Sequence, residues 1–170
     1  MIGSEVDRGT IVTLYLPRSK EMPESNQSPA ASGAKRASKE RGWVLLVEDN
    51  PEVAEVIRDL LQELGYDVVG ASDVASAVAA LQRQRASIDV ILSDIVMPGG
   101  ADGLDLARLV RAEYGEGLPI ILATGYSEKS QAAAEEGFTI LRKPYEEGEL
   151  RSALAEAIRK TRRRGVVGAA

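Results

Sequence analysis

Short apolar runs alternate with amphipathic segments between residues 43 and 158 of the chain. Five of the runs lack the polar alternation of a half-exposed strand, which is typical of buried parallel strands. They cover residues 43–47, 68–71, 88–92, 119–123 and 138–141. A segment with apolar residues at helical spacing follows each run. Five strand–helix units in succession predict a doubly wound parallel α/β sheet with helices on both faces.

The helical segments differ in the apolar surface that they offer. The first begins at Asn50 and Pro51, a capping residue and a favoured first residue, and ends at Gly65. The predicted buried residues of the first, second, third and fifth helices are Val53, Val56, Ile57, Leu60, Leu61 and Leu64; Val74, Ala77, Val78 and Leu81; Leu106, Leu109 and Val110; and Leu150, Ala153, Leu154, Ala157 and Ile158. The fourth helix, around 128–136, has alanines but no large aliphatic residue, so we expect the sheet to hold it weakly.

The chain outside this pattern is polar or short. Residues 10–16 have strand composition and end at Pro17, whereas residues 18–41 are rich in Pro, Ser, Ala and charged residues. Such a segment buries too little apolar surface to fold, and we interpret it as a flexible linker. The predicted domain covers residues 42–162, with a tail at 163–170. We interpret the basic run at 159–164 as a solvated helix end that complements the helix dipole.

Composition excludes several classes of protein. The chain has 170 residues and a net charge of −5, which makes a nucleic-acid-binding surface unexpected. It contains no cysteine and no histidine, so it has no disulfide, no thiolate site, no histidine-ligated zinc and no Ser-His-Asp triad. It also cannot phosphorylate itself on histidine. No apolar run approaches the roughly 20 residues of a membrane span and no signal peptide is visible, so we expect a cytoplasmic chain without a membrane partner.

Candidate chemistry lies where the predicted strands end. Glu48 and Asp49 follow the first strand, Asp94 the third, Thr124 the fourth and Lys143 the fifth. Parallel strands end on one edge, so these side chains should converge. Two carboxylates about 4 Å apart repel by about 4 kcal/mol at an effective dielectric constant of 20, so the cluster favours a cation. Oxygen ligands without soft donors suit Mg²⁺.

Three functions are compatible with these residues. A carboxylate beside Mg²⁺, a lysine and a hydroxyl is equipped to attack a phosphoryl group, as in a signalling module that accepts phosphate from a partner. A Mg²⁺-dependent phosphatase of the haloacid-dehalogenase kind also uses an aspartate nucleophile, but places Asp-x-Asp after its first strand. A binding module that is never phosphorylated is the third alternative.

The joint motif set resembles the receiver domain of two-component response regulators. It comprises Glu48-Asp49, Asp94 with Met97-Pro98, Thr124-Gly125 and Lys143-Pro144, and the resemblance covers residues 42–162. It implies a flavodoxin-like fold with strand order 2-1-3-4-5. It also implies a partner histidine kinase or histidine phosphotransfer protein, and a homodimer through the fourth helix, fifth strand and fifth helix. A receiver is not a turnover enzyme, because it catalyses only its own phosphorylation and dephosphorylation.

The resemblance also implies a role for each site residue. Asp94 would be the phosphoacceptor, and Thr124 and Lys143 would contact the phosphoryl oxygens. Gly125 would leave room for the donor histidine, and the Lys143–Pro144 bond would be cis. The implied Mg²⁺ ligands are Asp49, Asp94, the main-chain carbonyl of Val96 and, largely through a water molecule, Glu48.

Two departures from the family pattern concern the switch. The loop after Asp94 is one residue longer than usual, and Ile140 stands where the family often carries an aromatic residue. Tyr126 is the aromatic residue nearest the site in sequence. We therefore predict that phosphorylation draws Thr124 inward and orders the turn at 125–127 with the fourth helix, and that Tyr126 repositions.

The N-terminus has a resemblance of its own. Residues 4–17 resemble the last strands of a histidine-kinase ATPase domain, although the nucleotide-binding glycine boxes of that domain are absent. The resemblance implies that residues 1–17 are a remnant of such a domain. The whole chain would then be the C-terminal part of a hybrid sensor kinase.

Overall fold

A computed structural model describes residues 2–5, 9–13, 42–97, 100–125 and 128–167. The chain divides into two compact units, Met1–Lys35 and Arg36–Ala170. The first contains an antiparallel pair, β1 (Ile2–Glu5) and β2 (Gly9–Val12). A strand was predicted at 10–16, but its partner was missed, because residues 2–5 contain a single large apolar side chain. Residues 14–17 of the predicted strand lie outside the described residues.

The second unit is a five-stranded parallel sheet in the order β4-β3-β5-β6-β7. Its strands are β3 (Trp43–Val47), β4 (Asp67–Ala71), β5 (Ile88–Asp94), β6 (Ile120–Thr124) and β7 (Thr139–Arg142). Its helices are α1 (Pro51–Glu63), α2 (Val74–Gln84), α3 (Gly103–Tyr114), α4 (Glu128–Glu135) and α5 (Glu147–Val167). The predicted doubly wound sheet and the strand order 2-1-3-4-5 are confirmed.

Two apolar clusters cover the two faces of the sheet. Alternate residues of β3 point to opposite faces, so Val44 packs in one cluster and Leu45 in the other. The cluster around Leu45 receives buried residues from α2, α3 and α4, and the cluster around Val44 receives them from α1 and α5. Because helices cover both faces, the ends of the strands are where the sheet is open to solvent.

The helix patterns were partly wrong about burial. Val56 is 68% exposed and Leu109 is 52% exposed, because the faces of α1 and α3 that contact the sheet are narrower than the apolar pattern suggested. Trp43, the first residue of β3, is 38% exposed. Helix α5 continues to Val167, beyond the domain end placed at residue 162.

Among the described residues, no helix combines the length and apolar character that crossing a membrane requires.

Helix α4 contacts the apolar core through Ala132 and Ala133. Ala133 is fully buried, and the residue after the helix, Glu136, makes polar contacts with α3. Arg108 donates to both carboxylate oxygens of Glu136, just after α4, and Arg111 donates to its carbonyl at 2.7 Å. Polar contacts with α3 therefore add to the small apolar contact of α4 with the core.

Candidate functional site

The carboxyl ends of β3, β5, β6 and β7 lie side by side, and we call this end of the sheet the carboxyl edge. Main-chain hydrogen bonds hold this edge beyond the strands themselves. The N–H of Glu48 donates to Ala71 at 3.1 Å, and that of Lys143 to Thr124 at 2.7 Å. The N–H of Ile95 donates to the carbonyl of Ala123 at 3.0 Å. Hydrogen bonds to a neighbouring strand thus fix the main chain at Glu48 and Lys143 and next to Asp94.

Three acids meet at this edge, as the strand ends predicted. Glu48, Asp49 and Asp94 each offer a carboxylate oxygen, and these oxygens all lie within 4.8 Å of one another. Glu48 is buried at 5% exposure, whereas Asp49 and Asp94 are half-buried. One buried acid and two accessible ones thus concentrate negative charge where a small cation can reach it.

Lys143 neutralises part of this charge. Its Nζ lies 2.8 Å from Asp94 Oδ2 and 3.1 Å from Glu48 Oε2. Burial disfavours the charged ammonium, but the hydrogen bonds to Asp94 and Glu48 outweigh burial and raise the pKa of Lys143 above its ordinary value. The lysine therefore stays protonated at neutral pH and joins two of the three acids.

The Asp94 carboxylate is held at both oxygens. Oδ2 binds Lys143, and Oδ1 accepts a hydrogen bond from the N–H of Val96 at 3.1 Å. The hydroxyl of the buried Ser93 donates to the carbonyl of Asp94 at 2.9 Å. These contacts leave little rotational freedom to the carboxylate, which suits a nucleophile that must meet its target in one orientation.

The remaining predicted site residues are placed as follows. Thr124 is buried, and its Oγ1 donates to the carbonyl of Gly125 at 2.9 Å. Gly125 is exposed, and a Cβ there would meet nothing within 4 Å, so the space beside it is open. Ile140 is half-buried against the apolar core. The Lys143–Pro144 peptide bond is cis, as the resemblance implied. Tyr126 and Pro98 lie outside the described residues.

Sequence reasoning missed three residues that support the site. Gly103, the first residue of α3, lies so close to the strand end that a Cβ would come 1.9 Å from the carbonyl oxygen of Asp94. Its neighbour Asp102 caps α3, and Lys129 of α4 binds the Asp102 carboxylate. The Asp102-Gly103 pair in the sequence indicates a tight helix start. No feature of the sequence predicts that Lys129 binds Asp102.

The acidic cluster fits a magnesium ion. Two oxygens bound to one Mg²⁺ lie at most about 4.2 Å apart, since each bond is about 2.1 Å long. The outer limit of 4.8 Å in this cluster slightly exceeds that span. An ion therefore fits when one acid binds through a water molecule or the cluster contracts. All three side-chain donors are oxygens, which Mg²⁺ prefers.

Comparisons with known proteins agree with this arrangement. The sequence profile of the response regulator receiver domain matches residues 44–155. The sensor kinase CckA of Brucella abortus is 31% identical over 165 residues, a match that covers 92% of this chain and 17% of CckA. The chain spans less than half the length of this and other curated relatives that it matches.

Two solved structures share the fold over nearly their whole length. A response regulator receiver domain protein from Clostridium thermocellum is 27% identical, with a TM-score of 0.66, and the match covers 71% of this chain and 97% of that one. The signal receiver domain of a histidine kinase from Syntrophus aciditrophicus is 29% identical, with a TM-score of 0.64, and the match covers 72% and 93%.

Proposed function

The chain belongs to the response regulator receiver family, and from this premise we propose that it accepts a phosphoryl group from a partner phosphohistidine onto Asp94. One observation carries the proposal. Lys143 binds both Asp94 and Glu48 at the edge where the three acids converge. This arrangement presents a fixed carboxylate next to a permanent positive charge, as phosphoryl transfer requires.

The proposed transfer step runs between the Asp94 carboxylate and the donor phosphohistidine. An oxygen of the Asp94 carboxylate attacks the phosphorus, the phosphorus–nitrogen bond of the donor breaks, and the electron pair returns to the imidazole. Lys143 stabilises the charge on the phosphoryl oxygens. The Thr124 hydroxyl exchanges the carbonyl of Gly125 for a phosphoryl oxygen. The open space at Gly125 admits the donor ring.

Glu48, Asp49 and Asp94 are the side chains that would hold Mg²⁺, with the carbonyl of Val96 as a main-chain ligand. When bound, the ion would supply positive charge that neutralises the phosphoryl oxygens. The activity proposed for the chain is limited to its own phosphorylation and dephosphorylation.

The proposed donor is a histidine kinase or a histidine phosphotransfer protein, since the chain contains no histidine. We also propose that the chain is part of a hybrid sensor kinase, with residues 1–17 from the end of an ATPase domain. The match to the sensor kinase CckA, which covers 92% of the chain and extends well before residue 44, supports the hybrid-kinase proposal. The assignment of residues 1–17 to an ATPase domain rests on the sequence resemblance alone. Family resemblance alone suggests a homodimer through α4, β7 and α5.

Replacing Asp49 by asparagine tests the acidic cluster. We expect Mg²⁺ affinity to fall at least about tenfold, because a charged oxygen ligand becomes a neutral one of the same shape. Phosphorylation by acetyl phosphate should fall with it, while the melting temperature stays within a few degrees. Isothermal titration calorimetry measures the affinity, and intact-mass spectrometry measures the phosphorylation.

The matched control is Asp59→Asn, which removes the same charge from an exposed position of α1. It should leave both quantities unchanged. Equal Mg²⁺ affinity in wild type and Asp49→Asn would refute the proposed metal site. Phosphate mapped to any residue other than Asp94 in the wild type would refute the proposed function.

A further inference from the structure

The start of α3 carries a nearly buried carboxylate. Asp102 Oδ1 accepts hydrogen bonds from the N–H groups of Leu104 at 2.9 Å and Asp105 at 3.0 Å. The Asp105 side chain returns a contact by accepting from the N–H of Asp102 at 3.1 Å. This reciprocal cap satisfies three main-chain donors of the first turn. The other carboxylate oxygen of Asp102 is left for a partner outside α3.

That partner is Lys129, in the first turn of α4. Its Nζ donates to Asp102 Oδ2. The side chain of Lys129 is 57% exposed, whereas that of Asp102 is 10% exposed. Loss of the lysine would leave a carboxylate oxygen buried without its counterion. Such an oxygen is costly, so the cap residue would turn towards water and disturb the start of α3.

The start of α3 lies directly against the acceptor. The N–H of Gly103 donates to the carbonyl of Ile95 at 3.0 Å, and a Cβ on Gly103 would overlap the carbonyl of Asp94. No side chain fits between the helix and the strand end. A displacement of Asp102 is therefore passed to the main chain of Asp94 and Ile95.

We propose that Lys129 is a positioning residue for the acceptor site: through Asp102 it fixes the first turn of α3 against Asp94 and Ile95, and so joins α4 to the site. The inference rests on the proposed function for its biological meaning. Coupling of this kind is reciprocal, so a partner that moves α4 also changes the acceptor site. The contact gives this chain a route from site to helix that needs no aromatic residue at position 140.

Contacts at the other end of α4 allow the positioning role of Lys129 to be distinguished from a role in holding α4 to the domain. Arg108 and Arg111 bind Glu136 at the other end of the helix. Removing Lys129 thus loosens the end of α4 next to the site and leaves the far end held. Removing Arg111, which contacts Glu136 and Phe138 rather than Asp102 or Asp105, loosens the far end and leaves the Lys129 contact in place.

The experiment compares Lys129→Gln with wild type by hydrogen exchange in Mg²⁺-free protein and by Mg²⁺ titration. We expect the amides of Gly103, Leu104 and Asp105 to exchange about fivefold faster, and Mg²⁺ affinity to fall by about the same factor, at the lower end of typical coupling. Asp102→Asn, which keeps a capping side chain, should reproduce both effects. The double variant should be no worse than either single one, because both remove the same contact.

Two further variants distinguish positioning from stability. Lys129→Arg keeps the charge and should recover most of the wild-type exchange and affinity. Arg111→Gln should speed exchange near residues 136–138 only, with Mg²⁺ affinity unchanged, because Arg111 contacts the Glu136 carbonyl and the Phe138 ring. Unchanged exchange at residues 103–105 in Lys129→Gln would overturn the proposal. If that exchange does rise but wild type is never phosphorylated on Asp94, the proposed function fails and the positioning role stands.

Discussion

Asp94→Asn is expected to abolish phosphorylation of the chain by acetyl phosphate or by a phosphohistidine donor. The amide keeps the shape of the carboxylate and can still accept the hydrogen bond from Val96. It lacks the negatively charged oxygen that attacks phosphorus, so labelling should fall at least about 100-fold, below detection by intact mass. Lys143 keeps its contact with Glu48 at 3.1 Å, and the fold should survive.

The comparison needs a variant that loses one negative charge elsewhere. Asp59→Asn serves again, and should be labelled as fully as wild type. The Asp94 variant should also melt within a few degrees of wild type, which would exclude unfolding as the cause of lost labelling. Phosphate that persists in Asp94→Asn and maps to Asp49 would show that the wrong acid was chosen as acceptor.

Gly103→Ala is expected to give the largest loss of stability of any single methyl addition in the site. The new Cβ would lie 1.9 Å from the carbonyl oxygen of Asp94 and 2.9 Å from the Cα of Ile95. Both are main-chain atoms, so the clash cannot be relieved by a side-chain rotation. The first turn of α3 must withdraw, and the hydrogen bond from Gly103 to Ile95 is lost. We expect a loss of about 3 kcal/mol in the free energy of unfolding.

Urea unfolding measures this loss, and Gly148→Ala is the matched control. Gly148 lies in the first turn of α5, where a Cβ would meet nothing within 4 Å. There the same substitution should raise stability by up to about 1 kcal/mol, because alanine is the better helix former. Equal stability of the two variants would contradict the close approach of α3 to the acceptor strand.

The sheet and its edge were predictable because they depend on local patterns. Continuous apolar runs predicted the five parallel strands, and the polar residues that follow them predicted the cluster. The contact between Asp102 and Lys129 was not predictable, since 27 positions separate the two residues. Charged residues at such spacing carry no periodic signal. The exposure of Val56 and Leu109 was missed for a related reason: an apolar residue beside a buried stripe looks the same in sequence as one within it.

The position of Trp43 determines what optical spectroscopy will detect in this protein. It is the only tryptophan in the chain and the first residue of β3, whereas Glu48 and Asp49 follow the last residue of that strand and Asp94 ends the neighbouring strand β5. At about 3.3 Å per residue, the length of the strand separates the indole from the reacting groups. Its emission should therefore follow global unfolding and remain nearly silent during phosphorylation. A fluorescent reporter of the signalling event would have to be introduced at the opposite edge of the sheet.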